Sequence, residues 1–136
     1  MSVVLDTDTV IYFFKGKGAV AQRLLATPPA EVSITAISLF ELQLGVAKSG
    51  SPDRLRTQLD TLLRVVRVLP FGEEEAQVAA QVRARLEALG TPIGPLDTLI
   101  AGTALRHGAT LVTRNLREFR RVEGLFVDDW YGPNPD

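Results

Sequence analysis

The sequence predicts an α/β protein, a layered sandwich built around a parallel sheet. Short apolar or β-branched runs recur along the chain at Ser2 to Leu5, Glu31 to Ile34, Val65 to Leu69, Thr110 to Thr113 and Leu125 to Val127. Between them lie longer stretches whose apolar residues repeat at helical spacing, and strands alternating with helices in this way pair in parallel with helices packed on the sheet.

The first run stops at Asp6-Thr7-Asp8-Thr9, a helix-capping sequence. A helix through Tyr12 and Phe14 follows until Gly16 and Gly18 break it. Ala19 to Ala26 is again helical in spacing, and Pro28-Pro29 ends it. After the second strand, Thr35 or Ser38 caps a helix running through Phe40, Leu44 and Ala47, closed by the loop Ser49-Gly50-Ser51-Pro52. Asp53 caps the next helix, whose stripe is Leu55, Leu59, Leu62 and Val66. Glu73-Glu74-Glu75 places negative charge on the first turn of a long helix carrying Val78, Val82, Leu86 and Leu89, with Gly90 closing it. Pro95 opens a last long helix whose apolar side is Leu99, Ile100, Ala104 and Leu105, ending at His107-Gly108. Residues 1–136 are expected to form one domain, with 131–136 a frayed tail.

Composition narrows the chemistry. The 136 residues are 46% hydrophobic, enough for one real core. There is no cysteine, which excludes disulfides, zinc-thiolate sites and thiol catalysis. Met1 to Leu5 runs directly into a strand pattern and no stretch is long enough to span a bilayer, so a cytoplasmic protein is expected. A formal net charge of -1 gives no global basic footprint, and attraction to nucleic acid would have to come from local arginines or bound metal.

Three carboxylates stand out. Asp6 follows a buried strand, where ligand and catalytic groups gather in parallel α/β folds; capping of the following helix explains it equally well. Glu41 sits among Leu39, Phe40, Leu42 and Leu44 on a helix apolar nearly all round, which should be buried. An unpaired buried carboxylate costs several kcal/mol, about enough to require an arginine, a metal or a pocket open to water. Gly45, one turn on, leaves room above it. Asp97 lies on the inward stripe with Ile100, Ala101 and Ala104, although a first-turn acid favoured by the helix dipole is also an explanation. Thr113-Arg114-Asn115 follows a strand as Asp6 does; Asn115 could ligate or form a turn.

Oxygen ligands of this kind suit Mg2+ or Mn2+. The chemistry implied is phosphoryl transfer, in which metal lowers the pKa of a water presented in line to a phosphodiester. Arg114, Arg117, Arg120 and Arg121 alternate with Leu116 and Phe119, so they are phosphate-contact candidates or a solvated face; Lys15 and Lys17 are weaker ones.

Other chemistries fail on inventory. His107 is the only histidine and has the position of a helix C-terminus. Gly16-Lys17-Gly18 lacks both the Walker spacing and the third glycine of a dinucleotide fingerprint. Trp130 and Tyr131 read as a packing anchor.

Together, Leu5-Asp6-Thr7-Asp8, Phe40-Glu41-Leu42 with Gly45, Pro95-Leu96-Asp97 with Ile100-Ala101, and Leu111-Val112-Thr113-Arg114-Asn115 with Glu118-Phe119 resemble the PIN-domain proteins, specifically the VapC toxins. Each motif is short; their ordered combination spans nearly the whole chain. The resemblance implies a PIN-like three-layer sandwich with a five-stranded parallel sheet, an Mg2+ or Mn2+ site and endoribonuclease activity. It implies that Asp6, Glu41 and Asp97 are metal ligands, that Asn115 stands at the fourth, often acidic position, and that Thr113 orients water or a ligand. It also implies a homodimer and a small antitoxin, with Tyr12 to Leu25 and Ala36 to Leu63 as candidate surfaces. Asn115 is neutral where many PIN domains carry Asp, and Asp8 is acidic where many VapC toxins carry Asn. A PIN-type nuclease of RNA processing and an inactive PIN-like RNA-binding module are the alternatives.

Overall fold

The structure, a computed structural model, describes residues 2–132. In chain order it comprises β1 (Val3–Leu5), α1 (Thr7–Lys15), α2 (Val20–Leu25), a 3-10 turn (Pro29–Glu31), β2 (Val32–Thr35), α3 (Ala36–Lys48) and α4 (Pro52–Leu63). There follow β3 (Arg67–Leu69), α5 (Glu73–Ala88), α6 (Pro95–Arg106), β4 (Thr110–Val112), α7 (Leu116–Phe119) and β5 (Val127–Asp128). The strands form one five-stranded sheet in the order β3-β2-β1-β4-β5. Every pairing is parallel.

Successive side chains of a strand point to opposite faces, and β1 divides its residues accordingly. Val3 and Leu5 join Val10, Ile34, Leu59, Leu62 and Trp130 beneath α1 to α4. Val4 joins Leu86, Ile100, Ala101, Leu111 and Phe119 beneath α5, α6 and α7. Burying a side chain of this size contributes about 1.5 to 3 kcal/mol. Covered on both faces, the sheet makes a three-layer sandwich.

Helices α5 and α6 pack tightly against each other. A Cβ built on Gly102 would stand 2.6 Å from both Cα and Cβ of Ala79, so only glycine fits there. Glu75 fixes the start of α5 by accepting from the Gly72 backbone N–H at 2.9 Å. That bond is the main reason its carboxyl lies below the ordinary range. The same side chain meets His107 Nε2 at 2.9 Å, so the lone histidine ties the end of α6 to the beginning of α5.

Several boundaries differ from the sequence expectation for local reasons. Helix α4 begins at Pro52 with Ser51 as its N-cap, and Asp53 lies in the first turn. The Val65 and Val66 N–H groups both return to the Leu62 carbonyl, which shortens the predicted third strand to Arg67–Leu69. The last strand is displaced from Leu125 to Val127 onto Val127–Asp128, and Phe126 is left exposed. Tyr131, which the sequence offered both as a packing anchor and as the first residue of the tail, is held: Ala19 N–H donates to its carbonyl at 2.8 Å and its own N–H donates to Asp129 Oδ1 at 2.8 Å. The remainder of that predicted tail, 133–136, lies outside the described residues.

Candidate active site

Asp6, Thr35 and Thr113 stand where β1, β2 and β4 end, on the edge at which a parallel sheet presents its functional groups. Asp6 is buried and caps α1, with Thr9 N–H donating to its Oδ1 at 2.8 Å. A carboxylate has about four lone-pair sites, so capping leaves acceptor capacity. Burial pushes the Asp6 carboxyl above its ordinary value, and hydrogen bonds from Thr113 and Thr9 pull it back. Thr113 is fully buried; its Oγ1 also accepts from the Asn115 N–H at 3.0 Å. One threonine thus joins the end of β4 to the Asp6 carboxylate.

Thr35 caps α3, with Ser38 N–H donating to its Oγ1 at 3.0 Å, and the helix carries Glu41. The Thr7 hydroxyl lies 2.6 Å from Glu41 Oε1 and 3.0 Å from Ser38 Oγ. Having one proton, it serves both neighbours by donating to the carboxylate and accepting from Ser38. The sequence predicts that α3 is buried nearly all round, and the structure corrects this: Leu42 and Val46 enter the core, Phe40 and Leu44 are exposed, and Glu41 is half-buried at the boundary.

Asp97 occupies the first turn of α6, and its Oδ2 would be 3.3 Å from a Cβ built on Gly94, so the absent side chain keeps the carboxylate uncovered. Its carboxyl is raised from 3.8 to about 6. Partial burial is the largest cause, followed by the charges of Glu118, Asp6, Glu41 and Asp8. Five acids from β1–α1, α3, α6 and α7 therefore share one field. Glu118 is the member that sequence reasoning passed over: Asn115 Nδ2 donates to its Oε2 at 2.8 Å, so the neutral Asn115 aims a carboxylate rather than supplying one. The available signal is their i, i+3 spacing. Asp8 is exposed in the first turn of α1.

Among the described residues, no three carboxylate or imidazole groups stand at the spacing that would enclose an ion directly. Like-charged oxygen donors that act on one another through their charges nonetheless fit a hydrated divalent cation of the Mg2+ kind. Such an ion keeps several waters between itself and its protein ligands, and its charge relieves the repulsion that Asp97 registers.

Of the predicted phosphate contacts, Arg114 is exposed, its Cζ 3.6 Å from the Tyr131 ring centroid and 5.9 Å from that of Tyr12. Arg117 is exposed on α7 beside Glu118. Arg121 donates to the Pro92 carbonyl at 3.0 Å. Away from the acids, Phe13, Phe14, Leu24, Leu25, Leu62 and Val65 line an open apolar groove of about 520 Å³ between α1, α2 and α4. Leu25 is 83% exposed there and Val65 56%, and with the groove they form a contiguous apolar patch.

The PIN-domain family model matches residues 3–125. The chain belongs to the PIN-domain family. Within that family this PIN domain groups with the VapC proteins. It is 35% identical over 130 residues to the tRNA(fMet)-specific endonuclease VapC of Salmonella typhimurium, covering 96% of this chain and 98% of that one. It is 33% identical over 132 residues to Ribonuclease VapC2 of Rickettsia felis, covering 96% and 98%. In three dimensions it matches VapBC2 of Rickettsia felis, solved with a promoter DNA fragment, at a TM-score of 0.89, with 32% identity and 96% and 99% of the two chains covered. The DNA-bound VapBC of Salmonella typhimurium matches equally, at 0.89 with 35% identity and coverage of 96% and 98%. Among the described residues, no helix of this PIN domain is long and apolar enough to cross a membrane.

Proposed function

We propose that the chain is a divalent-metal-dependent endoribonuclease, the toxin of a toxin-antitoxin pair acting in the cytoplasm. The observation that supports the reading is the convergence of acids from four separate segments at the carboxyl edge of the sheet, with Asp6 capping α1, Glu41 bonded to Thr7, Glu118 bonded to Asn115, and their charges adding to burial in raising the Asp97 carboxyl. A structural ion-pair network does not account for them, because none of Asp6, Glu41, Asp97 and Glu118 has a basic partner among the described ion pairs.

Asp6, Glu41 and Asp97 would hold Mg2+ or Mn2+, with Glu118 completing the acidic wall. Bound there, the ion would supply a water of lowered pKa and offset negative charge on the phosphodiester. The protein's own part is orientation. Thr113 fixes Asp6, the Thr7 hydroxyl holds Glu41, and the Asn115 amide aims Glu118. Such supporting bonds matter to metal sites nearly as much as the ligands themselves. Arg114 and Arg117 contact RNA phosphates.

The relatives named as endonucleases and ribonucleases support the RNA substrate, and those named for tRNA(fMet) make initiator tRNA the first structured RNA to offer. The solved VapBC complexes support a cognate antitoxin. The groove beside Leu25 and Val65 is suited to an amphipathic antitoxin helix. The exposed Phe40 and Leu44 are suited to a second copy in a homodimer.

The test is incubation of purified protein with total cellular RNA and with initiator tRNA in Mg2+, Mn2+ or EDTA, beside the Asp97→Asn variant. Discrete metal-dependent products that the variant does not make are expected. Products unchanged in EDTA, or made equally by a folded Asp97→Asn variant, would overturn the reading.

A further inference from the structure

A polyanion approaching a wall of carboxylates needs a fixed cation to register it, and the chain's net charge of -1 offers no general attraction. Arg114 has the right place for this, directly between Thr113, which bonds Asp6, and Asn115, which bonds Glu118. Its guanidinium has no hydrogen bond or ion pair among the described residues; its recorded contacts are the Tyr131 ring at 3.6 Å and the Tyr12 ring at 5.9 Å. Arg23 is also set over a ring, that of Trp130, but is already paired with Asp128 at 3.2 Å.

The ring beneath Arg114 is itself held in place. Tyr12 meets Tyr131 edge-on, with centroids 5.0 Å apart and planes at 74°. The Tyr131 backbone is tied to Ala19 and Asp129, each at 2.8 Å. Gly18 makes this docking possible: it has φ +64, and a Cβ there would stand 2.5 Å from the Tyr131 carbonyl oxygen. A guanidinium whose carbon lies 3.6 Å over a ring is held without using its N–H groups, and a fork already ordered before binding loses less freedom when it captures a phosphate.

We propose that Arg114 is a phosphate fork for single-stranded RNA bound at the carboxylate pocket, and that Tyr131, backed by Tyr12, is the positioning residue that holds the fork in place. This rests on the endoribonuclease reading and adds to it the residue that orients the substrate. Lysine at 114 keeps the charge and loses the fork.

The experiment measures anisotropy of a short fluorescein-labelled, mixed-sequence single-stranded RNA titrated with the Asp97→Asn protein over a range of salt, with Arg114→Lys, Tyr131→Ala and Tyr131→Phe added singly. Arg114→Lys and Tyr131→Ala are each expected to weaken binding about tenfold, the loss of a bidentate charge-assisted contact. Tyr131→Phe keeps the ring face and should bind as the parent does. The salt dependence of Arg114→Lys should match the parent, because the number of charges is unchanged. The double variant Arg114→Lys with Tyr131→Ala should bind no worse than Arg114→Lys alone, whereas a merely structural Tyr131 would add its own loss. If the parent binds RNA and either Arg114→Lys or a folded Tyr131→Ala binds equally well, the fork is refuted and the endoribonuclease reading stands. If the parent binds no single-stranded RNA, the fork is refuted, and the endoribonuclease reading is decided separately by the cleavage of cellular RNA and initiator tRNA.

Discussion

Replacing Asp97 by Asn deletes one charge from the acidic pocket and leaves the side-chain volume nearly unchanged. In the folded chain this carboxyl titrates near 6 against an ordinary 3.8. Below the ordinary value, folded and unfolded chains are both protonated and the shift contributes nothing. Between the two values the folded chain holds a proton the unfolded chain has released, so stability falls as pH rises; above 6 the whole cost stands. For a fully buried group such a shift corresponds to about 3 kcal/mol. Asp97 is only half-buried, and screening by water reduces this to about 1 kcal/mol. In a chain of this size that is about 3 to 5 °C of melting temperature. In EDTA at neutral pH, Asp97→Asn should therefore melt above the wild type by roughly this amount, and the two curves should converge as pH drops below the carboxylate range. Added Mg2+ should raise the wild-type melting temperature and leave the variant's in place, while RNA cleavage by the variant falls by about a hundredfold or more. Differential scanning fluorimetry across pH, with and without metal, reads all of this. A variant that melts below the wild type in EDTA would refute the clustered-charge account, because it would show Asp97 making a net stabilising bond.

Thr7→Val should lose the 2.6 Å bond to Glu41 and lower cleavage about tenfold, with the Mg2+ titration displaced to higher concentration. Glu118→Gln should reduce cleavage by about tenfold or more with an unaltered circular dichroism melt, and Asn115→Ala by less, since the carboxylate remains but loses its aim. Gly102→Ala should cost about 1 to 3 kcal/mol, read as a lower urea midpoint, because α5 and α6 must separate to admit the methyl group. Leu25→Asp should abolish co-purification of the antitoxin while RNA cleavage by the isolated chain persists, because the groove lies apart from the acids.

The sheet was legible because its signals are local and agree with one another. Val3 to Leu5 is apolar at every position and is followed by an N-cap, so strand, stop and helix are read together. The caps at Thr35 and Asp6 and the left-handed glycines at 16 and 90 likewise stand where the sequence placed breaks. Legibility failed where tertiary structure chose between local options. Val65 and Val66 have strand propensity, yet they form the turn that leaves α4, because Leu59 and Leu62 anchor that helix in the core and the chain departs by bonding back to Leu62. Phe40 and Leu44 look like core from their composition but lie on a face that no other element of the described chain covers. Glu118 was hidden among Arg117, Arg120 and Arg121 in a one-turn helix whose pattern is that of a solvated surface. What separates it from its neighbours is contact with Asn115, for which the i, i+3 spacing is the one local signal, and the field on Asp97, which has no signature in spacing.

The centre of the sheet pairs β1 with β4, and the Thr9 hydroxyl bonds the Val112 carbonyl across 103 positions. Such distant partners meet late, after nearer segments have condensed. The acids at 6, 41, 97 and 118 are consequently strangers to one another in a chain still emerging from the ribosome. On the proposed reading, a nascent chain of this architecture is born unarmed: the pocket that would cut RNA cannot assemble until position 118 has followed positions 6, 41 and 97 out of the ribosome.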